Sequence, residues 1–307
     1  MNDLRERFAP LREETPTDED IAAVLSARPL PSRKRPRRLL LGVATATATA
    51  AVAIAALPGA DERPAAPASA AGMLRAAAAV AADQPRPPAF SGYRYTEVLE
   101  HWDWGPRGGA VDQRVENWVD TSWKGRTVAH AGKVLAGKPP DFWVKAAERE
   151  FVYGDGPLLD LDIAALPTEP RALLAALDKN NRSINWAPGL PTPEQARYDI
   201  TRSVLLLLGT ANTTPSLRAA LWGVLALLPG LQPAPDARDP LGREGEAVTF
   251  SLRPGEQAKP ERFKVIFDPD TSELLSWSLD ADGWGTPDQT RTFVRAAHVR
   301  QIGDRPR

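Results

Sequence analysis

The chain has 307 residues, and its 38 Lys and Arg nearly balance its 39 Asp and Glu, so the formal net charge is -1. This balance provides no electrostatic reason to expect nucleic-acid binding. The absence of cysteine excludes disulfides, thiolate metal sites and cysteine nucleophiles.

Residues 1–38 are polar and charged, and we predict a largely disordered cytoplasmic tail. Two short apolar patterns with helical spacing interrupt this tail, and they are the candidate partner-binding residues: Leu4, Phe8, Leu11, Ile21, Val24 and Leu25. Segments this short are marginal as isolated helices, so we expect them to fold on a partner's groove. The alternative is a solvated tail that binds nothing.

The segment 39–57 reads LLLGVATATATAAVAIAAL and contains no charged residue. A helix of this length would span about 28 Å, close to the ~30 Å hydrocarbon core of a bilayer. Five cations directly precede the segment: Arg33, Lys34, Arg35, Arg37 and Arg38. Because short basic flanks stay in the cytoplasm, we predict one transmembrane helix, with the N-terminus inside and the C-terminal domain extracytoplasmic.

A cleaved secretory signal is the alternative to a retained anchor. Ala68-Ser69-Ala70 has the small-x-small pattern of a cleavage site, although it lies well beyond the apolar run. In either case, residues 58–68 (PGADERPAAPA) are predicted to be a linker, and the exported domain is predicted to cover residues 69–307.

The exported domain begins with a predicted helix at 68–82, which Pro85 terminates. Alternating patterns then predict strands at 93–102, 111–120 and 122–134, the last two as a hairpin. Residues 141–153 fit a helix or a strand equally well. After a helical middle region, strands are predicted again at the following positions: 245–253, 261–268, 273–280 and 290–302.

Three helices are predicted in the middle region, at 168–178, 192–208 and 215–228. Thr168 is a candidate N-cap of the first helix, and Pro193 fits the first turn of the second. The run 204–208 is apolar on all sides, which implies burial. We therefore expect these helices to place the following residues in the core: 205–208, Leu221, Trp222 and Leu225.

Strands followed by helices and then by strands predict an α+β fold rather than alternating βαβ units. We expect one curved antiparallel sheet of about six to eight strands, with the helices packed on one face and one transmembrane helix before the domain. Strands from both sides of the helical middle region should pair in this sheet.

Motifs for phosphate binding, dinucleotide binding, serine hydrolysis and zinc proteolysis are absent from the sequence. His101, His130 and His298 lack the spacing of metal ligands. His101 and Asp103 would share a strand face, but acid–base catalysis needs a third partner and a pocket. The acidic stretch 268–273 lacks the register of an EF-hand and fits a hairpin turn. We expect no enzymatic activity, no metal and no cofactor.

Aromatic residues on the predicted strands are the candidate ligand-binding residues. They are Tyr93, Tyr95, Trp102, Trp118 and Trp277. We predict that some of them line the concave face of the sheet and bind an apolar envelope ligand or a peptide. The competing interpretation is that the helices close over these aromatics and make them part of the core.

Four stretches, together with the Arg-rich flank of the Ala-rich span, indicate a relationship to known proteins. They are LPTEPRALLAAL at 166–177, SLRAALWGVLALLPGL at 216–231, DPLGREGEAV at 239–248 and VIFDPDTSELLSW at 265–277. The chain resembles an actinobacterial family of uncharacterised single-pass membrane proteins, often encoded beside extracytoplasmic-function sigma factors. The exported domain also resembles, more loosely, the half-barrel sheets of lipoprotein carriers and sigma-regulator sensor domains, although fold does not imply function.

These observations predict a single-pass cell-membrane protein with an exported sensing or binding domain and a tail that regulates a sigma factor. The two apolar patterns in the tail favour signalling, because a topology signal would need neither. The alternative is an anchored envelope domain that binds lipid or lipoprotein, or one that is purely structural. The expected partners are the lipid bilayer, a cytoplasmic sigma factor and an apolar envelope ligand.

Overall fold

One antiparallel sheet of ten strands organises the described part of the chain. The computed structural model describes the following residues: 69–85, 92–138, 147–151, 162–184, 192–255, 258–281 and 287–306. The predicted tail, anchor and linker lie outside these ranges. Among the helices that are described, none has both the length and the apolar content of a membrane span.

The helices are α1 (Ala70–Asp83), α2 (Gly105–Gly108), α3 (Pro170–Ile184), α4 (Pro193–Thr210) and α5 (Pro215–Leu225), with a 3-10 turn at Ile163–Ala165. The strands are β1 (Tyr93–Asp103), β2 (Ala110–Val119), β3 (Gly125–Ala129), β4 (Lys133–Ala136), β5 (Ala147–Phe151), β6 (Gln232–Arg238), β7 (Glu244–Leu252), β8 (Glu261–Phe267), β9 (Leu274–Asp280) and β10 (Asp288–Val299). The predicted α+β class is confirmed.

The strand order is β5-β3-β2-β1-β10-β9-β8-β7-β6, and β4 also pairs with β2. Strands β1 and β10, which flank the helical middle region in sequence, pair with each other along their whole length. The prediction that both strand groups share one sheet is therefore confirmed. Strand β10 pairs with β9 only at Gln289–Thr292, opposite Ser276–Leu279, and the two strands separate beyond that point.

The helices cover one face of this sheet, which we call the helix-covered face. Their buried side chains form one cluster with apolar strand residues, including Val98, Phe250, Phe263 and Trp277. Leu205, Leu207 and Leu208 of α4 lie in this cluster, as do Leu221, Trp222 and Leu225 of α5. The predicted burial is confirmed for these residues, whereas Leu206 is half-buried.

Residues with short polar side chains begin the helices, as local chemistry requires. The hydroxyl oxygens of Ser69, Thr192 and Thr214 accept hydrogen bonds from backbone N–H groups in the first turns of α1, α4 and α5. Helix α3 differs, because the carboxylate of Glu169 accepts from the N–H groups of Arg171 and Ala172 at 3.0 and 2.7 Å. The predicted Thr168 cap is therefore wrong by one residue.

Two strand predictions also need correction. Residues 122–134 form β3 and β4 rather than one strand, because the two segments pair with different parts of β2. Strand β6 was missed because its sequence, QPAPDAR, contains two prolines and does not alternate. Proline is tolerated there because β6 is an edge strand that pairs only with β7.

Candidate functional site

Three of the five predicted ligand-binding aromatics lie together on the face opposite the helices, which we call the second face. Tyr95 and Trp118 are buried, and their ring centroids are 5.3 Å apart. Val299 is buried with them, while Tyr93, Val128 and Ile302 pack against the group half-buried. We call these six residues the aromatic cluster.

The other two predicted aromatics lie on the helix-covered face. Trp277 belongs to the main core cluster. Trp102 is opposite Gln289, which in turn is opposite Leu279, so the strand register places it on the same face as Trp277. Its indole N–H donates to Oε2 of Glu100 at 3.1 Å, and its ring stacks on Trp104. The five residues therefore do not line one surface.

Glu116 of β2 lies beside the aromatic cluster, and its carboxylate is fully buried. The Tyr95 hydroxyl donates to Oε1 at 2.7 Å, and Nε2 of His130 lies 2.8 Å from Oε2. The Arg305 guanidinium donates to both oxygens, at 2.8 and 3.0 Å. Nη2 of Arg114 lies 3.5 Å from Oε1. We call these five residues the carboxylate cluster.

The environment of Glu116 determines its charge. Burial alone would raise the pKa of Glu116, but hydrogen bonds from His130, Arg305 and Tyr95, together with attraction to Arg114, hold it well below its usual range. Burial and the hydrogen bond to Glu116 raise the pKa of Tyr95. Neither group is therefore suited to exchange a proton near neutral pH, which favours a structural role over acid–base catalysis.

The end of the chain covers this region. The Trp118 indole N–H donates to the backbone carbonyl of Asp304 at 2.8 Å, and Arg305 reaches Glu116 from the same segment. Residues 301–306 contain no strand or α-helix, and each of them is exposed or half-buried. An irregular terminal segment thus forms the cover over buried aromatic rings on the second face.

His101 pairs with a different carboxylate from the one that we considered in the sequence. The partner of its Nδ1 is Oδ1 of Asp112, at 2.7 Å on the neighbouring strand, whereas the sequence had suggested Asp103. The hydrogen bond to Asp112 raises the pKa of His101, against an opposing effect of burial. The described residues contain no group of three or more His, Asp or Glu side chains that could hold a metal ion.

Two turns that begin with an aspartate are closed by the carboxylate of that residue. Asp268 Oδ1 accepts from the N–H groups of Asp270 and Thr271, which confirms a hairpin turn at 268–273. Asp239 Oδ1 accepts from the N–H groups of Leu241 and Arg243, and the φ angle of Gly242 is +77°. DPLGREG thus forms a tight turn, with Gly242 in the left-handed region that glycine favours.

The candidate ligand-binding set omitted Glu116 and, apart from Tyr95, the residues that hold it. Arg305, Tyr95 and His130 lie 189, 21 and 14 residues away from it in the chain. The available signal was the strand alternation, which places Glu116 on the same face as Trp118, among residues that would otherwise face solvent. A charged residue beside a buried aromatic residue indicates that the charge is paired with an opposite charge or hydrogen-bonded.

Comparisons with known proteins do not assign the chain to a family. No family model matches it, and neither does any curated protein. Among solved structures, LprF from Mycobacterium bovis is similar with a TM-score of 0.35 and 11% sequence identity, over 76% of this chain and 96% of LprF. At that level, the likeness decides neither fold nor function, so the family resemblance seen in the sequence stays a prediction.

Proposed function

We propose that this chain is a single-pass envelope protein whose extracytoplasmic domain, residues 69–307, binds an apolar lipid-like ligand without enzymatic activity. In this proposal, segment 39–57 is a retained membrane helix, the N-terminus is cytoplasmic, and the sheet is curved around its ligand. The observation that carries the ligand proposal is the aromatic cluster on the second face, whose cover includes the irregular segment 301–306.

The aromatic cluster suits an apolar ligand for a physical reason. Sheet faces opposite the helical layer are usually polar and wet, yet Tyr95 and Trp118 are only 1% and 2% exposed there. Among the described residues, the terminal segment 301–306 contributes to their cover, held by Trp118 and Glu116. A ligand that displaces this segment replaces its contacts with the aromatic rings, and the cost of opening is the loss of the hydrogen bonds that join Arg305 to Glu116 and Trp118 to Asp304.

The start of the domain favours a retained anchor over cleavage after Ala70. Ser69 caps helix α1, and the Ala70 side chain is buried in the main core. Cleavage after Ala70 would remove both residues from the domain, and losing an N-cap alone costs about 1 kcal/mol. Reporter fusions at residues 30 and 70 should report opposite sides of the membrane. Fusions that report the same side would contradict the proposed topology.

Quenching of tryptophan fluorescence by a spin-labelled fatty acid tests the ligand proposal. The full-length protein in phosphatidylcholine nanodiscs should show saturable quenching, and Trp118→Phe should remove most of it. Trp277→Phe is the matched control, because Trp277 lies on the helix-covered face. Equal quenching in both tryptophan variants would contradict binding at the aromatic cluster.

Regulation of a sigma factor by the tail is a separate proposal, and its residues lie outside the described ranges. A pull-down with residues 1–35 tests it against the same bait carrying Phe8→Asp and Leu25→Asp. Capture of a sigma factor by the wild-type tail alone would support signalling. Identical eluates from both baits would leave the binding domain as the functional part.

A further inference from the structure

A small cavity lies where strands β9 and β10 separate. Its volume is about 50 Å³, and we call it the arginine cavity. The residues that line it include Arg94, Arg243, Glu273, Leu275, Phe293 and Arg295. Register shifts at Phe293–Arg295 in β10 and at Leu274–Ser276 in β9 lie at the same level of the sheet, so irregular backbone forms the cavity wall.

Arg94 points into this cavity from β1 and is only 8% exposed. Its Nε has no hydrogen-bond partner, and no hydrogen bond or ion pair joins its guanidinium to any other residue within the described ranges. Burying a cation without a partner costs several kcal/mol. Packing alone therefore does not account for an arginine at this position, whereas an anionic ligand does.

The neighbouring arginines already have acidic partners. Arg243 Nε donates to Asp239 at 2.7 Å, and its Nη2 donates to the carbonyl oxygens of Phe293 and Leu275. Nη1 of Arg218 lies 3.6 Å from Oε1 of Glu273. Nε of Arg295 lies 2.9 Å from Oε2 of Glu97. The cavity region thus has one positive charge in excess, and that charge belongs to Arg94.

Arg94 remains a cation at neutral pH. Burial, together with repulsion from Arg218, lowers its pKa to about 9, while Glu273 acts in the opposite direction. Burial and repulsion from the same two arginines also lower the pKa of His298, which lies opposite Arg94 on β10. A bound anion would relieve this repulsion.

We propose that the arginine cavity binds a phosphate group, with Arg94 as its main ligand and Arg243 beside it. A guanidinium offers parallel N–H donors that match two oxygens of a phosphate. Each water-sized atom needs about 10–15 Å³ of such a volume, so the cavity accommodates roughly three to five of them, which suits a phosphate group. Glu273 and Arg295 are 49% and 52% exposed, so the cavity is open to solvent on their side.

Thermal unfolding of the full-length protein in detergent micelles, titrated with inorganic phosphate at constant ionic strength, tests this site. Phosphate should raise the melting temperature saturably, whereas chloride and acetate should not. Arg94→Met should weaken phosphate binding at least tenfold, since each charge-assisted hydrogen bond contributes roughly that factor. Arg262→Met is the matched control, because it removes the same charge at an exposed position on β8.

Arg94→Lys gives a second, independent measurement, because it keeps the charge but loses the paired donors; its affinity should lie between wild type and Arg94→Met. Circular dichroism verifies that each variant is folded. Equal phosphate stabilisation of wild type and Arg94→Met would overturn the proposal, as would an equal response to phosphate and chloride.

A water-soluble short-chain phosphatidic acid separates two sources of the phosphate group. Tighter binding than inorganic phosphate, lost in Arg94→Met, identifies a lipid headgroup as the ligand. Weaker binding than inorganic phosphate, again dependent on Arg94, identifies a small free anion. Binding that does not depend on Arg94 would contradict the site for both sources.

Discussion

Glu116 and Arg94 are both buried charges on the neighbouring strands β2 and β1, but on opposite faces of the sheet. The Glu116 carboxylate accepts hydrogen bonds from Tyr95, His130 and Arg305. The Arg94 guanidinium forms none with the described residues and lies against a cavity instead. The comparison distinguishes a buried charge that stabilises the fold through its partners, Glu116, from one that is placed to bind a ligand, Arg94.

A ladder of ion pairs connects the two regions. Arg295, which lines the arginine cavity, pairs with Glu97, and Glu97 pairs with Arg114 at 2.8 Å. Arg114 then reaches Glu116. Every member of this ladder is compensated, so the lack of compensation at Arg94 is specific to that position and not a general property of the central strands.

Replacing Glu116 should cause the largest effect. Glu116→Ala removes the anion that His130 and Arg305 contact, and removing one partner of a buried pair costs about 3–5 kcal/mol. Urea unfolding of the full-length protein should show this loss of stability. Glu116→Gln is the control, because it keeps hydrogen-bonding capacity and should lose less. A loss below about 1 kcal/mol for the alanine variant would mean that the carboxylate cluster contributes little.

Acid should weaken the same cluster. The pKa of Glu116 is lower in the folded state than its ordinary value of 4.5, so its contribution is complete above that pH and is lost as the pH falls toward the folded pKa. One proton changes stability by ~1.4 kcal/mol per pH unit, so about 2 kcal/mol should be lost between pH 4.5 and about pH 3. Glu116→Gln should lack this component, and parallel pH profiles of the two proteins would disprove it.

Replacing Arg94 should have the opposite sign. Arg94→Met removes an uncompensated buried charge and keeps most of the apolar volume, so stability without ligand should rise by about 1–2 kcal/mol. Urea unfolding in phosphate-free buffer measures the change, with Arg262→Met as the control for net charge. A loss of stability above about 1 kcal/mol would show that Arg94 has a structural partner.

The smallest effect should come from His101, a charge that is neither fully buried nor free. Its pKa is raised in the folded state, so its contribution is complete below about pH 6.5 and is lost as the pH rises through the folded value. The side chain is 40% exposed, so solvent screening should limit the change to about 0.5 kcal/mol. An NMR titration of His101→Gln against wild type should identify the shifted resonance, and a pKa below 6.5 would contradict the pairing with Asp112.

Much of the fold could be predicted from local patterns. The alternating pattern at 93–102 predicted β1, and the apolar residues of α4 and α5 indicated their burial. Strand β6 could not be predicted, because its prolines are acceptable only at a sheet edge and sequence does not reveal which strand is the edge.

The candidate sites could be predicted only in part. Tyr93, Tyr95 and Trp118 lie together because alternation places Tyr93 and Tyr95 on one face and the pairing of β1 with β2 sets Trp118 opposite Tyr95. Trp102 and Trp277 lie on the other face because strand register decides which side each residue meets, and a shift of one residue reverses it. Ligand binding by the aromatic cluster stays a prediction.

The sequence by itself determined which residues could form strands, which could cap helices and that no disulfide could hold the domain. Only the tertiary structure decided which buried charges found partners. Arg305 forms hydrogen bonds with Glu116, which is 189 residues away in the chain. Arg94 instead lines the cavity between β9 and β10. Such pairings depend on the strand order and on where the backbone pairing of two strands ends. The packing of the whole sheet determines both, and no local sequence pattern does.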